Sequence, residues 1–438
     1  MPPAMSSPVR PAPSPSRPWL QQLLLGALLV LPAWFASQAI VGYHKLLGIN
    51  SYQVTDWIIS FGGGFLRRGL SGQLLQLAQR GLGRFDLGAF ALLLTALSVW
   101  AVALAVLVRA NRLPLAPGLA LAFSPLLYPL FVYWDPNAVA RKDVLAILFV
   151  LLLLLLARWR HSAMPALLML VSAGGLPLLT LSHEALILFV LPADLLLLVL
   201  VLWPRHRALA PLLLRLALGA LPGLLAFAAV SLFGAYPSAE RVQAMCASWQ
   251  PLQPELICQP LPDPFLALVD PQRFMREIPL AWAGQWRNYR RLVVALAYLV
   301  ALFLVVLPLV LQAGDRRGPG LGGLRRRSAL VALICLLPTL PLYAISTDYG
   351  RWLSTTVSIA VLVLLLGGPL WPVPLEAAGV SPAPDLPPAV GRALWLDRAA
   401  LAFTLAIAAF AYFKHCCSDN FLVVNQRSPL VQLLKALF

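Results

Sequence analysis

The chain has 438 residues, 60% of them hydrophobic and 11% charged, with a formal net charge of +16 and a mean hydropathy of +0.81. That make-up excludes an ordinary soluble domain. The charge does not point to nucleic acid either, because the arginines gather at helix ends and no soluble domain is large enough to present a binding face.

Runs such as Leu87–Leu107, Val144–Ala157, Leu186–Leu202 and Leu292–Leu311 approach the roughly 20 apolar residues that carry a helix across a bilayer. Period-two alternation, the mark of a transmembrane barrel, is missing. The expected fold is therefore an all-α polytopic transmembrane bundle. Its spans are expected at 19–41, 87–108, 115–133, 142–157, 164–181, 184–203, 210–235, 291–312, 329–345, 352–371 and 397–413, eleven in all.

In chain order, residues 1–18 are Pro/Ser-rich and are expected to be a disordered, cytoplasmic N-terminus. The first apolar run, 19–41, is read as a retained anchor rather than a cleaved signal because so many spans follow. Residues 42–86 then form an extracytoplasmic loop carrying Asp56 and the string FGGGFLRRGLSG at 61–72. Its glycines let backbone approach a partner closely, and Arg67 and Arg68 offer forked donors suited to phosphate. The amphipathic stretch Leu70–Leu77 follows and suits the membrane interface. A simpler reading is a turn whose arginines meet lipid headgroups.

WDPNAVARKD at 134–143 joins the third and fourth spans. Asp135 is expected either to cap the next helix or to bind substrate. Arg141 and Lys142 open a helix at the positive end of its dipole, where cations need an anion. Asp143 is the local candidate for that anion, and a substrate diphosphate is the alternative. LSHE at 181–184 places His183 and Glu184 almost at membrane depth, where a neutral histidine beside a carboxylate can move protons. The plain alternative is a hydrogen-bonded structural couple.

The largest polar loop, 236–290, is rich in proline and is expected to be an irregular, ordered cap. It holds Cys246 and Cys258, whose pairing depends on an oxidising compartment. Trp282, Trp286, Arg287, Arg290 and Arg291 cluster near its end and suit an anionic headgroup. Cys335 lies in an apolar helix, where it packs. STDYGRW at 346–352 ends the tour of motifs: Gly350 suggests a tight turn aiming Asp348 and Arg351 at one space, while Tyr349 and Trp352 either stack on a sugar or join an aromatic belt. Residues 372–396 read as a cytoplasmic linker, and 414–438 as an extracytoplasmic tail with the adjacent thiols Cys416 and Cys417.

Threading puts all four motifs on one side, and the acid-poor arginine loops (158–160, 204–207, 325–327) on the other, taken as cytoplasmic. In overall plan the chain resembles bacterial integral-membrane glycosyltransferases of the C-type fold and the O-antigen polymerase and ligase families. Those share a comparable number of spans, a large extracytoplasmic loop and functional Arg, His or acidic residues on the outer side. The resemblance implies a transferase of the bacterial inner membrane that takes a polyprenyl-(di)phosphate-linked sugar, with membrane lipids and glycan-assembly proteins as partners. Asp56, His183, Glu184 and Asp348 are its candidate catalytic groups. Arg67, Arg68, Asp135, Arg141, Lys142, Asp143, Tyr349, Arg351 and Trp352 are its candidate binding groups.

The first outer loop carries only Asp56 rather than an adjacent acidic pair, so a metal-independent site is expected. No Walker motif is present; no cofactor is expected, and the energy would reside in the donor. The rivals are a transporter or flippase, for which Asp194 and Arg215 are the charges inside spans, and a non-catalytic assembly subunit.

Overall fold

A computed structural model describes residues 18–110, 115–159, 161–204, 208–234, 237–270, 289–314, 320–345, 348–371, 390–413 and 422–424. The expected disordered start, Ser346 and Thr347, the aromatic and basic cluster at 282–287, most of the linker, and Cys416 and Cys417 lie outside these residues. So do several of the arginines used for orientation.

The architecture is all-α. Among the described residues, seven helices are long and apolar enough to span a membrane: Gly26–His44, Leu87–Val108, Met164–Ser182, Leu209–Phe233, Val293–Gln312, Leu321–Tyr343 and Tyr349–Gly367. Two shorter apolar helices, Asp143–Ala157 and Leu186–Leu202, complete the set. Each falls on an expected span. In chain order the elements that matter below are α1 (Pro18–His44), α2 (Tyr52–Trp57), α3 (Gly69–Leu82), α4 (Leu87–Ala110), α5 (Leu115–Ala122), α6 (Tyr128–Trp134), α7 (Asp143–Ala157), α8 (Met164–Ser182), α9 (Leu186–Leu202), α10 (Leu209–Phe233), α11 (Ala239–Ala247) and α12 (Asp263–Val269). After them come α13 (Tyr289–Ala301), a π-turn at Leu302–Val306, α14 (Leu307–Gly314), α15 (Leu321–Leu336), α16 (Leu340–Ile345), α17 (Tyr349–Gly367) and α18 (Val390–Phe410). Two three-residue strands, Ala411–Phe413 and Leu422–Val424, pair antiparallel after the last helix.

Several expected spans are not single α-helices: 291–312 holds the π-turn, 329–345 a 3-10 turn at Leu337–Thr339, 397–413 runs into the strand Ala411–Phe413, and 115–133 is broken by non-helical backbone. The segment 115–133 breaks between α5 and α6, where Pro125 cannot donate to the helical ladder and Pro129 starts the next helix. Irregular backbone at this depth is tolerated only when protein satisfies it. Here the Ser358 hydroxyl of α17 accepts the Tyr128 amide at 3.0 Å, and the Tyr298 hydroxyl donates to Ser124 at 2.7 Å.

The centre of the bundle is α17, 94% of whose spanning window is buried. A helix enclosed on all sides can carry small hydroxyl residues if they bond their own backbone. Thr355 and Thr356 do so, donating to the carbonyls of Arg351 and Trp352 at 3.0 and 2.7 Å. Helices α4, α7, α9 and α15 pack around this post, so whatever begins α17 stands at the middle of one end of the molecule.

That end is covered by the two long loops, which are sewn together. Cys246 and Cys258 form a disulfide within the second loop. Arg241 of α11 donates to the Gly63 and Phe65 carbonyls at 3.0 and 3.1 Å, Asn50 bonds the 255–257 backbone, and Arg84 pairs with Glu255. The triple glycine belongs to this stitching. A Cβ on Gly63 would overlap the Arg241 carbonyl, and Gly64 sits at φ 97°, in the region glycine favours. The backbone approach expected of FGGG thus occurs, with α11 as the partner.

Candidate functional site

The charged residues of the four motifs meet beneath this cap. Ser51 caps the six-residue α2, accepting the Val54 amide at 3.4 Å, and one helical turn later Asp56 points inward, 5% exposed. Two cations flank it: Arg68 Nη1 lies 3.6 Å from Oδ1 and Lys142 Nζ 3.9 Å from Oδ2. Oδ1 is buried without a hydrogen bond. Burial alone raises a carboxyl pKa, but Lys142 and Arg68, with smaller help from His183 and Arg141, hold Asp56 down at about 2. It is an ionised carboxylate, paired with cations but not saturated with hydrogen bonds.

Arg68 takes a left-handed backbone, φ 64°, at the start of α3. A non-glycine residue there costs energy, about 1–3 kcal/mol, and is usually kept by its surroundings. The turn delivers the guanidinium to Glu184, with Nε 3.0 Å from Oε2 and Nη2 2.8 Å from Oε1. Arg67 reaches the same carboxylate at 3.8 Å and donates to the Ala267 carbonyl of α12 at 2.7 Å. Burial opposes ionisation of Glu184, yet Arg68 and its hydrogen bonds hold the carboxyl well below its ordinary range.

His183 and Glu184 are therefore not hydrogen-bonded to each other; Nδ1 and Oε2 stand 3.9 Å apart. Nδ1 instead accepts the Ala185 amide at 3.3 Å, in the turn that leads into α9. Burial pushes the His183 pKa well below 6.5, reinforced by Arg68 and only partly offset by Glu184 and Asp56. The ring is neutral.

Lys142 precedes α7 with a side chain that is 0% exposed. Nζ donates to the Ser182 carbonyl at 3.0 Å and the Arg68 carbonyl at 3.4 Å. The anion that excuses a cation at this helix start is Asp56, across the fold. Asp143, the expected local partner, pairs with Arg351 Nε at 3.2 Å, and Arg351 Nη2 pairs with Asp348 at 2.9 Å. Those three close the top of α17.

The remaining candidates surround this core. Arg141 lies 4.5 Å over the Tyr52 ring and donates to Asn137 O at 3.3 Å. Asp135 accepts the Asn137 amide at 3.1 Å, the turn-capping arrangement weighed from sequence. Trp352 is buried edge-on against Tyr343, and half-buried Tyr349 stacks on Tyr343 at 5.7 Å. Trp352 accordingly faces protein, and Tyr349 is the more open ring.

Three contributors were not read from sequence. Tyr52 stands one helical turn before Asp56, and SYQVTDW could have shown it, since a serine cap sets the i, i+4 pair on one face. Thr95 and Trp57 hold Ala140, whose φ is 60°: the Thr95 hydroxyl accepts the Ala140 amide at 3.0 Å and Trp57 Nε1 donates to its carbonyl at 2.6 Å. Nothing local to either residue announced that contact, because it joins segments far apart in the chain.

Charge in the assembly is nearly balanced. Arg67, Arg68, Arg141, Lys142 and Arg351 stand against Asp56, Asp135, Asp143, Glu184 and Asp348. An incoming anion must displace a carboxylate, and Glu184, with 21% of its side chain exposed, is more accessible than Asp56, Asp143 or Asp348.

A family model described as uncharacterised membrane protein Rv1490 matches residues 24–272, more than half of the chain. The matched stretch contains Asp56, Arg67, Arg68, Lys142, His183 and Glu184, while Asp348 and Arg351 lie beyond it. No curated protein and no solved structure matches the chain.

Proposed function

The chain belongs to that family of membrane proteins, and from this premise we propose that it is an integral-membrane glycosyltransferase or polysaccharide polymerase using a polyprenyl-(di)phosphate-linked sugar. The observation that carries the reading is Asp56: a buried, ionised carboxylate with one oxygen that accepts no hydrogen bond, set between cations at one end of a membrane bundle. In this reading the donor's phosphate replaces Glu184 on the Arg67–Arg68 pair. Its charge weakens the hold of Arg68 and Lys142 on Asp56, whose pKa then rises towards that of a useful base. Asp56 takes the proton of the acceptor hydroxyl, the acceptor oxygen bonds the sugar's anomeric carbon, and the departing phosphate keeps the electron pair of the broken bond. Arg68 and Lys142 stabilise that developing charge.

Tyr349 supports a sugar ring and His183 accepts or relays a proton. The disulfide in the cap favours an oxidising compartment, and hence an extracytoplasmic face of a bacterial inner membrane with the N-terminus in the cytoplasm. The test is genetic. Asp56→Asn and His183→Gln should each abolish the cell-surface glycan that depends on this protein when expression is adjusted so that their membrane level matches the wild type. Normal glycan in both variants would end the proposal.

Transport is the second reading, and two observations favour it. The break between α5 and α6 interrupts a span. The fully buried Asp194 of α9 accepts the Ser172 hydroxyl at 2.7 Å and leaves Oδ2 without a hydrogen bond, near the middle of two adjacent helices. Movement of a lipid-linked saccharide across vesicles without polymer synthesis would select it.

A further inference from the structure

Helix α3 is amphipathic the wrong way round for a soluble cap. Its polar side chains face inward: Gln76 and Gln79 are each 2% exposed, and they bond Ser248 Oγ at 2.9 Å and the Phe85 carbonyl at 3.0 Å, while Gln253 donates to Gln79 at 3.1 Å. Three of its five leucines face outward: Leu74, Leu77 and Leu82 are 51%, 53% and 86% exposed, while Leu75 packs inward at 7%. A helix that spends its hydrogen-bonding residues on the interior and presents leucines outside is matched to an apolar medium.

The surroundings identify that medium. α3 packs on α8, whose Leu178 is itself 52% exposed. Its start is pinned to the end of α10, where the Arg67 amide donates to Gly234 O at 3.2 Å beside Leu232 and Phe233, both over 70% exposed. The leucine face thus adjoins the outer surfaces of two spanning helices, and exposed Arg80 follows at the polar margin. From this we propose that α3 is an interfacial helix lying flat on the bilayer, its Leu74–Leu77 face in the acyl-chain layer and Arg80 among lipid phosphates. The helix fixes the depth of the charged site, because Arg67 and Arg68 are carried at its start and so stand at headgroup level. This placement does not depend on which reaction, if any, the site performs.

Spin labels test it in the full chain reconstituted in vesicles, with Cys335, Cys416 and Cys417 replaced by alanine and the Cys246–Cys258 bridge kept. Labels at Leu74→Cys and Leu77→Cys should be relaxed several-fold more by oxygen than by a water-soluble nickel chelate. A label at Glu240→Cys, exposed on α11, should show the reverse. Nickel-favoured relaxation at Leu74 and Leu77 would overturn the proposal, since the face would then meet water. Spin–spin broadening that grows with protein content would overturn it too, by showing that a second copy covers the face. Both substitutions lie on an exposed surface, so a normal melting temperature verifies that the labelled chains are folded.

Discussion

Asp56 and His183 are both held deprotonated among the same few neighbours, one as a carboxylate and one as a neutral ring, and this makes their behaviour with pH definite. His183 has a folded-state pKa well below 6.5, so below that value the unfolded chain binds a proton the folded chain refuses. Stability then falls as pH falls below about 6.5. Asp56 acts in the same direction at lower pH, from 3.8 down through about 2. Thermal unfolding in detergent should show a melting temperature that drops between pH 7 and pH 5, and His183→Gln should flatten that slope; an unchanged slope would contradict a buried neutral ring. Arg351 presents a different case, because it holds both Asp143 and Asp348. Arg351→Ala leaves buried carboxylates unpaired, which typically costs about 3–5 kcal/mol. A lowered protein level is expected for that variant, so it reports on folding.

At the scale of elements, the cap is an interlocked unit rather than two independent loops. Gly63→Ala pushes a methyl group into the Arg241 carbonyl, an overpacking that costs about 1–3 kcal/mol. The variant should melt earlier and expose the Cys246–Cys258 loop to proteolysis sooner; an unchanged melting point would mean that α11 yields freely. Element positions were largely legible in the sequence, because apolar length alone decides where a helix can cross a bilayer. The break inside 115–133 was legible too, in Pro125 and Pro129, but an apolar run invites reading straight through them. The pairing of charges was not legible. Lys142 sits beside Asp143 in sequence and pairs with Asp56, and Glu184 sits beside His183 and pairs with Arg68. Sequence neighbours at a helix start point in different directions, so adjacency is a poor guide to partnership there. Likewise FGGG announced a close backbone approach, and only the folded second loop shows that the partner is Arg241 of α11.

For the whole molecule, an enclosed post, α17, meets helix starts and ends at a single charged end beneath a disulfide-linked cap, with α3 lying alongside. Helix-crossing parity put the motifs on one side, and the fold brings Asp56, Arg68, Lys142, His183 and Glu184 together, with Arg351, Asp143 and Asp348 adjoining. The most direct measurement is sugar transfer by the purified chain in lipid vesicles supplied with a polyprenyl-diphosphate-linked saccharide and an acceptor glycan. The wild type should extend the acceptor, and Asp56→Asn should slow transfer by roughly 10²–10⁴-fold, the usual contribution of a positioned base, when both are assayed below the melting temperature of the variant. Transfer by Asp56→Asn at the wild-type rate would contradict the account.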